Sequence, residues 1–436
     1  VAEDRIIWMN KNPRLRLLLT ALVFVVAIYI YRPVPSALGP CNIGYESLNL
    51  SCSLASTGTF SSPFGVLPTG PSAHLAPLFP WVVASLIRHF GDKPAASDML
   101  EWMAALALAF QLSLWPWVAL RLGMGFASGL IAAALWLPMG FDLFPEWEAI
   151  YVPLLILILV LFTYRILREH VSTAFVALGG VLWGILFLLN PVPLLTFLAS
   201  AIWAAIFAPL RRVQKLALML IPLAVISPWV IRNYELFHHF ILIRDNLGTE
   251  LWLANNSCAT FSFKVNRSIG CFSHPNESLA EARLVASSGE YEFNQAKLRD
   301  ALTWIKANPG KFAILTKQRF MAYWFFNPRG IFFDGRHVPL GILILWVVAP
   351  LSLVGLWILF RRDRISAGLC LLWTVLFPPI YYFLSFTPRY RLPLMWVSII
   401  PASFALSEAA RKVWSRLKKS YGATAAPVQS PAKIVV

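Results

Sequence analysis

Between Pro40 and Pro80 the chain reads PCNIGYESLNLSCSLASTGTFSSPFGVLPTGPSAHLAPLFP, a polar stretch with a single acidic residue, Glu46. One carboxylate in such a loop has the chemistry of a general base for a hydroxyl. If Asn42 to Ser56 is a helix, Tyr45, Leu48, Cys52 and Ala55 share one face while Glu46, Asn49 and Ser53 share another. The acid would then look into a cavity with the apolar face resting on the protein; a solvated loop acid is the plainer alternative. Basic residues supply the complementary chemistry. SPWVIRNYELF carries Arg232 and Asn233, and SFTPRYRLPL carries Arg389, Tyr390 and Arg391, each beside the end of an apolar run. Guanidinium forks clustered at a membrane edge suit a fixed anion such as a lipid phosphate, although a single arginine there also snorkels to headgroups. Tyr45, His74, Asn233 and Tyr390 are the expected pocket residues around them. His74, in TGPSAHLAP, equally suits a hydrogen-bonded structural role, and Asp142, Glu146 and Glu148 in FDLFPEWEAIY suit a metal, an acceptor or a simple acidic loop.

The elements that must position these groups are membrane helices. The 436 residues are 58% hydrophobic and 13% charged, with a mean hydropathy of +0.65, and apolar runs near twenty residues recur throughout. After a first run ending at Tyr31, further spans are expected at about 99–120, 126–140, 149–166, 172–190, 193–209, 216–232, 340–360, 366–385 and 391–409. The net charge of +16 comes mainly from short clusters between these runs and from the C-terminal tail, which predicts topology and contact with anionic lipid rather than nucleic acid. Placing the basic clusters inside gives ten spans, an uncleaved first helix and both termini inside. The alternation requires that 75–91 does not cross, so a re-entrant or interfacial helix is expected there; an eleventh span is the alternative.

The expected fold is therefore an all-α polytopic membrane protein with a small mixed extracytoplasmic domain. It divides into an N-terminal membrane module over 1–232 with its first outer loop at 32–98, an outer domain over 233–339, C-terminal membrane helices over 340–410 and a basic cytoplasmic tail over 411–436, disordered near its end. Within the outer domain, loops or short strands should precede amphipathic helices, with Leu298, Leu302, Ile305 and Phe312 at near-helical spacing. Cys41 with Cys52 and Cys258 with Cys271 are two close loop pairs that suit disulfides on an oxidising side, though free thiols satisfy the same spacing; Cys370 lies in an apolar span. Four sequons, at Asn49, Asn255, Asn266 and Asn276, fall in the expected outer segments. No zinc-type His/Cys spacing, nucleotide loop or serine nucleophile elbow is present in the sequence.

Three places carry a resemblance to a known family: GYESLNL with FSSPFG and TGPSAHLAPLFP, SPWVIRNYELF with LGTELWLANN, and RYRLPL. In this order they resemble the polytopic GT-C glycosyltransferases of the family 39 type, which include protein O-mannosyltransferases and the lipid A aminoarabinose transferase, and the chain looks closer to uncharacterised bacterial members. The resemblance implies a polyprenyl-phosphate sugar donor, a catalytic acid in the first outer loop at Glu46, and lipid-phosphate contacts from Arg232, Arg389 and Arg391. Where protein O-mannosyltransferases carry an Asp-Glu pair, this chain has Tyr45-Glu46, so their acceptor class does not carry over. Displacement of a lipid phosphate needs one base and hardly an acid, in contrast to the carboxylate pair of glycoside hydrolysis. The expectation is an inverting glycosyltransferase of a plasma membrane with its site facing outside. No cofactor is certain, no metal ligand is assigned, and a divalent ion remains compatible. A transporter or flippase of polyprenyl-linked lipids and an oligosaccharide ligase are the alternatives.

Overall fold

A computed structural model describes residues 12–137, 144–325 and 340–424, with the side chains of 340–345 and 418–424 excepted. A helix lies on each expected apolar run: α1 (Pro13–Ile30), α4 (Pro94–Arg121), α5 (Phe126–Trp136), α6 (Val152–Arg168), α7 (Thr173–Leu189), α8 (Leu194–Phe207), α9 (Arg212–Phe237), α15 (Leu340–Arg362), α16 (Arg364–Leu376) and α18 (Met395–Thr424). Six described stretches are long and apolar enough to cross a bilayer, whereas Phe126–Trp136, Thr173–Leu189 and Leu194–Phe207 are shorter apolar helices. The protein is an integral membrane protein. Close packing relies on small residues: a Cβ on Gly355 of α15 would collide with the Pro401 backbone of α18, and one on Gly184 of α7 with Val225 of α9. Two proline-bearing expectations resolve into breaks. The 366–385 run stops at Leu376 and resumes as the short α17 (Pro379–Phe383), and the 391–409 run opens with a 3-10 turn over Pro388–Leu394. The last helix then continues through the basic RKVWSRLKKS to Thr424.

Following the chain through these helices separates two ends. Arg121, Arg168, Arg211, Arg212, Arg361, Arg362 and Arg364 gather at one end, where Arg168 pairs with Asp363, and Arg362 with Glu408. The other end carries the first loop and the polar segment after α9. In the first loop, α2 (Glu46–Thr57) and α3 (Leu78–Phe90) pack together; the 13 residues of α3 rise only about 20 Å, short of a hydrocarbon core of about 30 Å.

The polar segment departs from its sequence reading. It is built from helices α10 (Leu247–Ala254), α11 (Phe263–Ser268), α12 (Leu279–Ser288), α13 (Glu290–Ala307) and α14 (Pro309–Phe325), and no strand occurs among the described residues, only the isolated bridges Ser61–Pro71 and Ser262–Phe386. The short run LGTELWLA, too brief for its period to separate strand from helix, is helical because Thr249 hydrogen-bonds Asn294 on α13 and Gly248 admits the Asn294 backbone at close range. Leu298 and Ile305 pack with Leu251, Ala301 and Leu384, and Phe312 stacks on Phe383, but Leu302 is exposed. Both cysteine pairs are disulfides, with Cα–Cα distances of 5.7 Å for Cys41–Cys52 and 5.9 Å for Cys258–Cys271. Asn255 and Asn266 are fully buried and hydrogen-bonded, so their sequons offer no amide to a modifying enzyme.

Candidate functional site

Glu46 is the first residue of α2, and the Cys41–Cys52 disulfide closes a loop around it. The helix is seated by Ser47, whose hydroxyl donates to the Glu146 carbonyl, and by fully buried Leu48, Leu50 and Ser51. The Glu46 side chain is therefore turned inward, only 14% exposed, with Oε1 3.5 Å from Nδ1 of buried His274. The plainer alternative of a solvated acid is thereby removed.

His274 reaches the acid because the polar segment is laced to the first loop. Asn276 Nδ2 donates to the Gly44 carbonyl at 3.0 Å, and its Oδ1 accepts from the Gly65 amide at 2.9 Å. The Cys258–Cys271 disulfide anchors the strand of chain leading into His274, and Phe272 stacks on the imidazole at 5.5 Å. His74 arrives from the far end of the first loop, 5.8 Å from the His274 ring, with Phe64 edge-on to both. Its amide donates to Ser72 Oγ at 3.0 Å, fixing the turn.

Ligand atoms of Glu46, His74 and His274 all lie within 4.8 Å of one another. Burial pushes the Glu46 carboxyl above the usual carboxylate range, with the charges of Arg389 and Arg244 acting against it. Burial likewise holds both imidazoles below their usual range, which favours their neutral forms. His274 Nδ1 already accepts the Asn276 amide at 3.1 Å, which places its proton on Nε2, so Nδ1 offers no proton to Glu46 Oε1 at 3.5 Å. The buried His74 Nδ1 has no hydrogen-bond partner among the described residues. A carboxylate converging with this nitrogen fits a proton shared with the acid, or a divalent cation such as zinc or manganese if His274 exchanges its bond from the Asn276 amide for the metal.

The expected residues divide into two groups. Tyr45, Arg389 and Tyr390 join Glu46 and His74. Tyr45 meets Trp147 edge-on at 5.9 Å, the Arg389 guanidinium lies 3.7 Å over the same indole, and Arg389 meets the Tyr390 hydroxyl, whose ring stacks on Tyr381 at 4.4 Å. Arg232, Asn233 and Arg391 belong instead to the surrounding frame. Arg232 donates to the carbonyls of Ser72 at 2.7 Å and Phe60 at 2.9 Å and to Asn233 Oδ1, which makes it a clamp behind the loop that carries His74. Asn233 is fully buried and also donates to the Ile241 carbonyl. Arg391, 1% exposed, donates to the Trp324 carbonyl of α14 at 2.6 Å. Among the acidic-loop candidates, Glu148 accepts from Asn190 at 3.1 Å and Glu146 supplies the carbonyl that seats Ser47, while Asp142 lies outside the described residues.

Sequence reasoning missed His274, Trp147 and Arg244. Arg244 carried the very signal that raised Arg232, a positive charge on the side where positive charge is depleted. His274 had only its position three residues after Cys271 to mark it.

No family model matches the sequence, and neither does any curated protein. Among solved structures, the archaeal oligosaccharyltransferase AglB from Archaeoglobus fulgidus, in complex with an inhibitory peptide and a dolichol-phosphate, aligns at a TM-score of 0.53 with 14% identity, covering 98% of this chain and 53% of that one. The same enzyme in its apo form gives a TM-score of 0.55 at 14% identity over 94% and 52%, and its complex with Zn and sulfate 0.52 at 14% over 94% and 51%. The fold is of the GT-C type. The chain spans about half the length of the structures it matches. ArnT from Cupriavidus metallidurans bound to undecaprenyl phosphate aligns only at a TM-score of 0.35 with 13% identity, over 91% and 78%, too distant a superposition to inform the residues of this site.

Proposed function

We propose that this protein is a membrane glycosyltransferase that moves a sugar from a polyprenyl-phosphate donor to an acceptor hydroxyl on the extracytoplasmic side. The observation that carries the reading is a buried carboxylate, Glu46, within electrostatic reach of Arg389, at the polar end of a GT-C-type fold whose opposite end gathers the basic clusters. Positive charge marks the cytoplasmic end of a membrane protein, so the site faces outward, where nucleotide sugars are absent and a lipid must present the donor. The dolichol-phosphate in the AglB complex is consistent with that donor class.

The reaction is a displacement at the anomeric carbon. A bond forms from the acceptor oxygen to that carbon, the bond from the carbon to the phosphate oxygen breaks, the acceptor proton passes to Glu46, and polyprenyl phosphate leaves. Attack from the face opposite the phosphate inverts the anomeric centre. Arg389 stabilises charge growing on the departing phosphate, and Trp147, by stacking on it, fixes the guanidinium in place. Incubation with a labelled polyprenyl-phosphate monosaccharide tests this: sugar transfer with release of polyprenyl phosphate is expected. Glu46→Gln should lower that rate at least about 100-fold while donor binding persists. Full activity in the variant removes Glu46 from the mechanism, and lipid movement without cleavage favours a transporter.

The unpartnered His74 Nδ1 supports a second reading of the same residues. Glu46, His74 and His274 would hold a divalent ion, which supplies Lewis acidity near the phosphate, and Glu46 would then serve as a ligand. The zinc in one AglB complex is consistent with this. Loss of transfer on chelation, restored by added metal, distinguishes it. A lipid-linked oligosaccharide offered in competition with the monosaccharide donor separates a ligase from the proposed enzyme.

A further inference from the structure

The guanidiniums at the polar end differ in what their nitrogens already bind. Those of Arg232, Arg319 and Arg391 donate to backbone carbonyls at 2.6 to 3.1 Å and are held in the frame by those bonds. Arg244 is different. Its Nε donates to Asn246 Oδ1 at 2.9 Å, which fixes the plane of the group, and its two terminal nitrogens have no hydrogen-bond partner among the described residues. No carboxylate there lies in ion-pair contact with Arg244 or with Arg389. An oriented, half-buried guanidinium with its outer edge uncommitted is a preorganised anion binder.

Its position is set by the backbone. The Asp245 amide donates to the Ala73 carbonyl at 2.7 Å, so Arg244 is held alongside His74 and hence beside the Glu46 cluster. Arg389 approaches the same acid from a separate element, by way of Trp147 and Tyr45. Two guanidiniums thus reach one carboxylate from two directions, more positive charge than Glu46 alone neutralises. A phosphate that gains negative charge as its sugar departs fits between them.

We propose that Arg244 is the second jaw of a phosphate seat completed by Arg389, and that it contacts the non-bridging oxygens of the lipid phosphate directly. This rests on the glycosyltransferase reading and assigns to it a residue that reading did not contain. Arg244 engages the phosphate oxygens in a fork, Arg389 engages them from the opposite side, and the seat binds the released polyprenyl phosphate more tightly than the intact donor because the released group carries more charge.

The test uses the full chain in nanodiscs, with polyprenyl phosphate and the corresponding polyprenol as paired probes. Arg244→Gln should weaken polyprenyl phosphate binding at least about tenfold and leave polyprenol binding unchanged, with the ligand-free melting temperature preserved. Arg244→Lys, which keeps the charge and loses the fork, should fall between, and it serves as the informative variant if the glutamine form does not fold. Where the wild type transfers sugar, equal weakening for both lipids or an unchanged polyprenyl phosphate affinity in Arg244→Gln overturns the assignment of Arg244 while leaving the function standing. A wild type that binds neither lipid and transfers no sugar overturns the function and this inference with it.

Discussion

The two ends of the bundle use arginine in opposite ways. At the basic end the guanidiniums pair with carboxylates: Arg168 with Asp363, Arg165 with Glu169 at 3.0 Å, and both Arg362 and Arg411 with Glu408. At the polar end the exposed Arg267 also pairs with a carboxylate, Glu277 at 3.0 Å. The guanidiniums nearer Glu46, however, meet carbonyls or aromatic faces or leave their terminal nitrogens without a partner among the described residues, as Arg232, Arg389 and Arg244 illustrate. At the basic end these pairs offset part of the charge, and the excess that remains serves orientation in the bilayer. Charge at the polar end is retained, and a retained charge in a half-buried place is available to a ligand. Counting arginines near a membrane edge therefore does not separate frame residues from candidate ligand-binding ones; their partners and their exposure do.

The largest stability effect should separate the two ends. Arg319, fully buried in α14, donates to Asn255 Oδ1 and the Phe383 carbonyl at 3.1 Å each and also to the Ala254 carbonyl, joining α14 to α10 and α17. Arg319→Met fills similar volume but strands three buried acceptors, so a loss of about 3–5 kcal/mol is expected. Denaturant or thermal unfolding in detergent measures it. A loss below about 1 kcal/mol would mean that the carbonyl-bound arginines do not hold the frame.

How far the sequence revealed this arrangement depends on the kind of signal involved. Apolar length and basic clustering made the membrane helices and both disulfide pairs legible, because both are local properties of the chain. Glu46 was legible because an isolated acid in a polar loop is conspicuous. His274 and Arg244 were not, since what matters about them is set by lacing: Asn276 ties residue 274 to Gly44 and Gly65, and the Asp245 amide ties residue 244 to Ala73, contacts that span some two hundred positions of sequence. Arg232 and Arg391 misled for the same reason. Their types suited a phosphate, while their partners, the carbonyls of Ser72, Phe60 and Trp324, cannot be read from composition. Of the loops or short strands expected early in the polar segment, no strand formed among the described residues, as short apolar runs took the helical state that Asn294 and the serine caps favoured.

A second contrast can be tested through pH. Behind the site, Glu290 Oε1 accepts from the Ala73 amide at 2.6 Å, and burial pushes this carboxyl from 4.5 up to about 8 against the opposing pull of the Ser72 hydroxyl and the Ala73 amide. Asp245 nearby is pushed up to about 7 by burial, and the Arg232 charge acts on Glu290 in the opposite direction. The folded state therefore holds protons that the unfolded state has released, so stability falls as pH rises from the ordinary carboxylate range to about 8. Over that window the loss should be several kcal/mol, at about 1.4 kcal/mol per unit of pKa shift. Glu290→Gln keeps the acceptor for Ala73 and should flatten the decline in melting temperature between mildly acidic and mildly alkaline pH. An unchanged slope in the variant would assign the decline to another group.

The smallest effect belongs at the basic end. Arg168 is 39% exposed and its partner Asp363 20%, so the pair is screened by water and lipid headgroups, and Arg168→Gln should cost less than about 1 kcal/mol. Asp363 has a second occupation that the substitution leaves intact: it caps α16, accepting from the amides of Ile365 at 3.0 Å and Ser366 at 3.3 Å and from the Ser366 hydroxyl at 2.7 Å. Asp363→Ala removes that cap as well as the ion pair and should cost about 1–2 kcal/mol, more than the loss of its arginine. Unfolding measurements on both variants check the order. If Arg168→Gln proved as damaging as Arg319→Met, carboxylate-paired and carbonyl-bound arginines would be equivalent, and the uncommitted nitrogens of Arg244 and Arg389 would lose their significance as the mark of a ligand site.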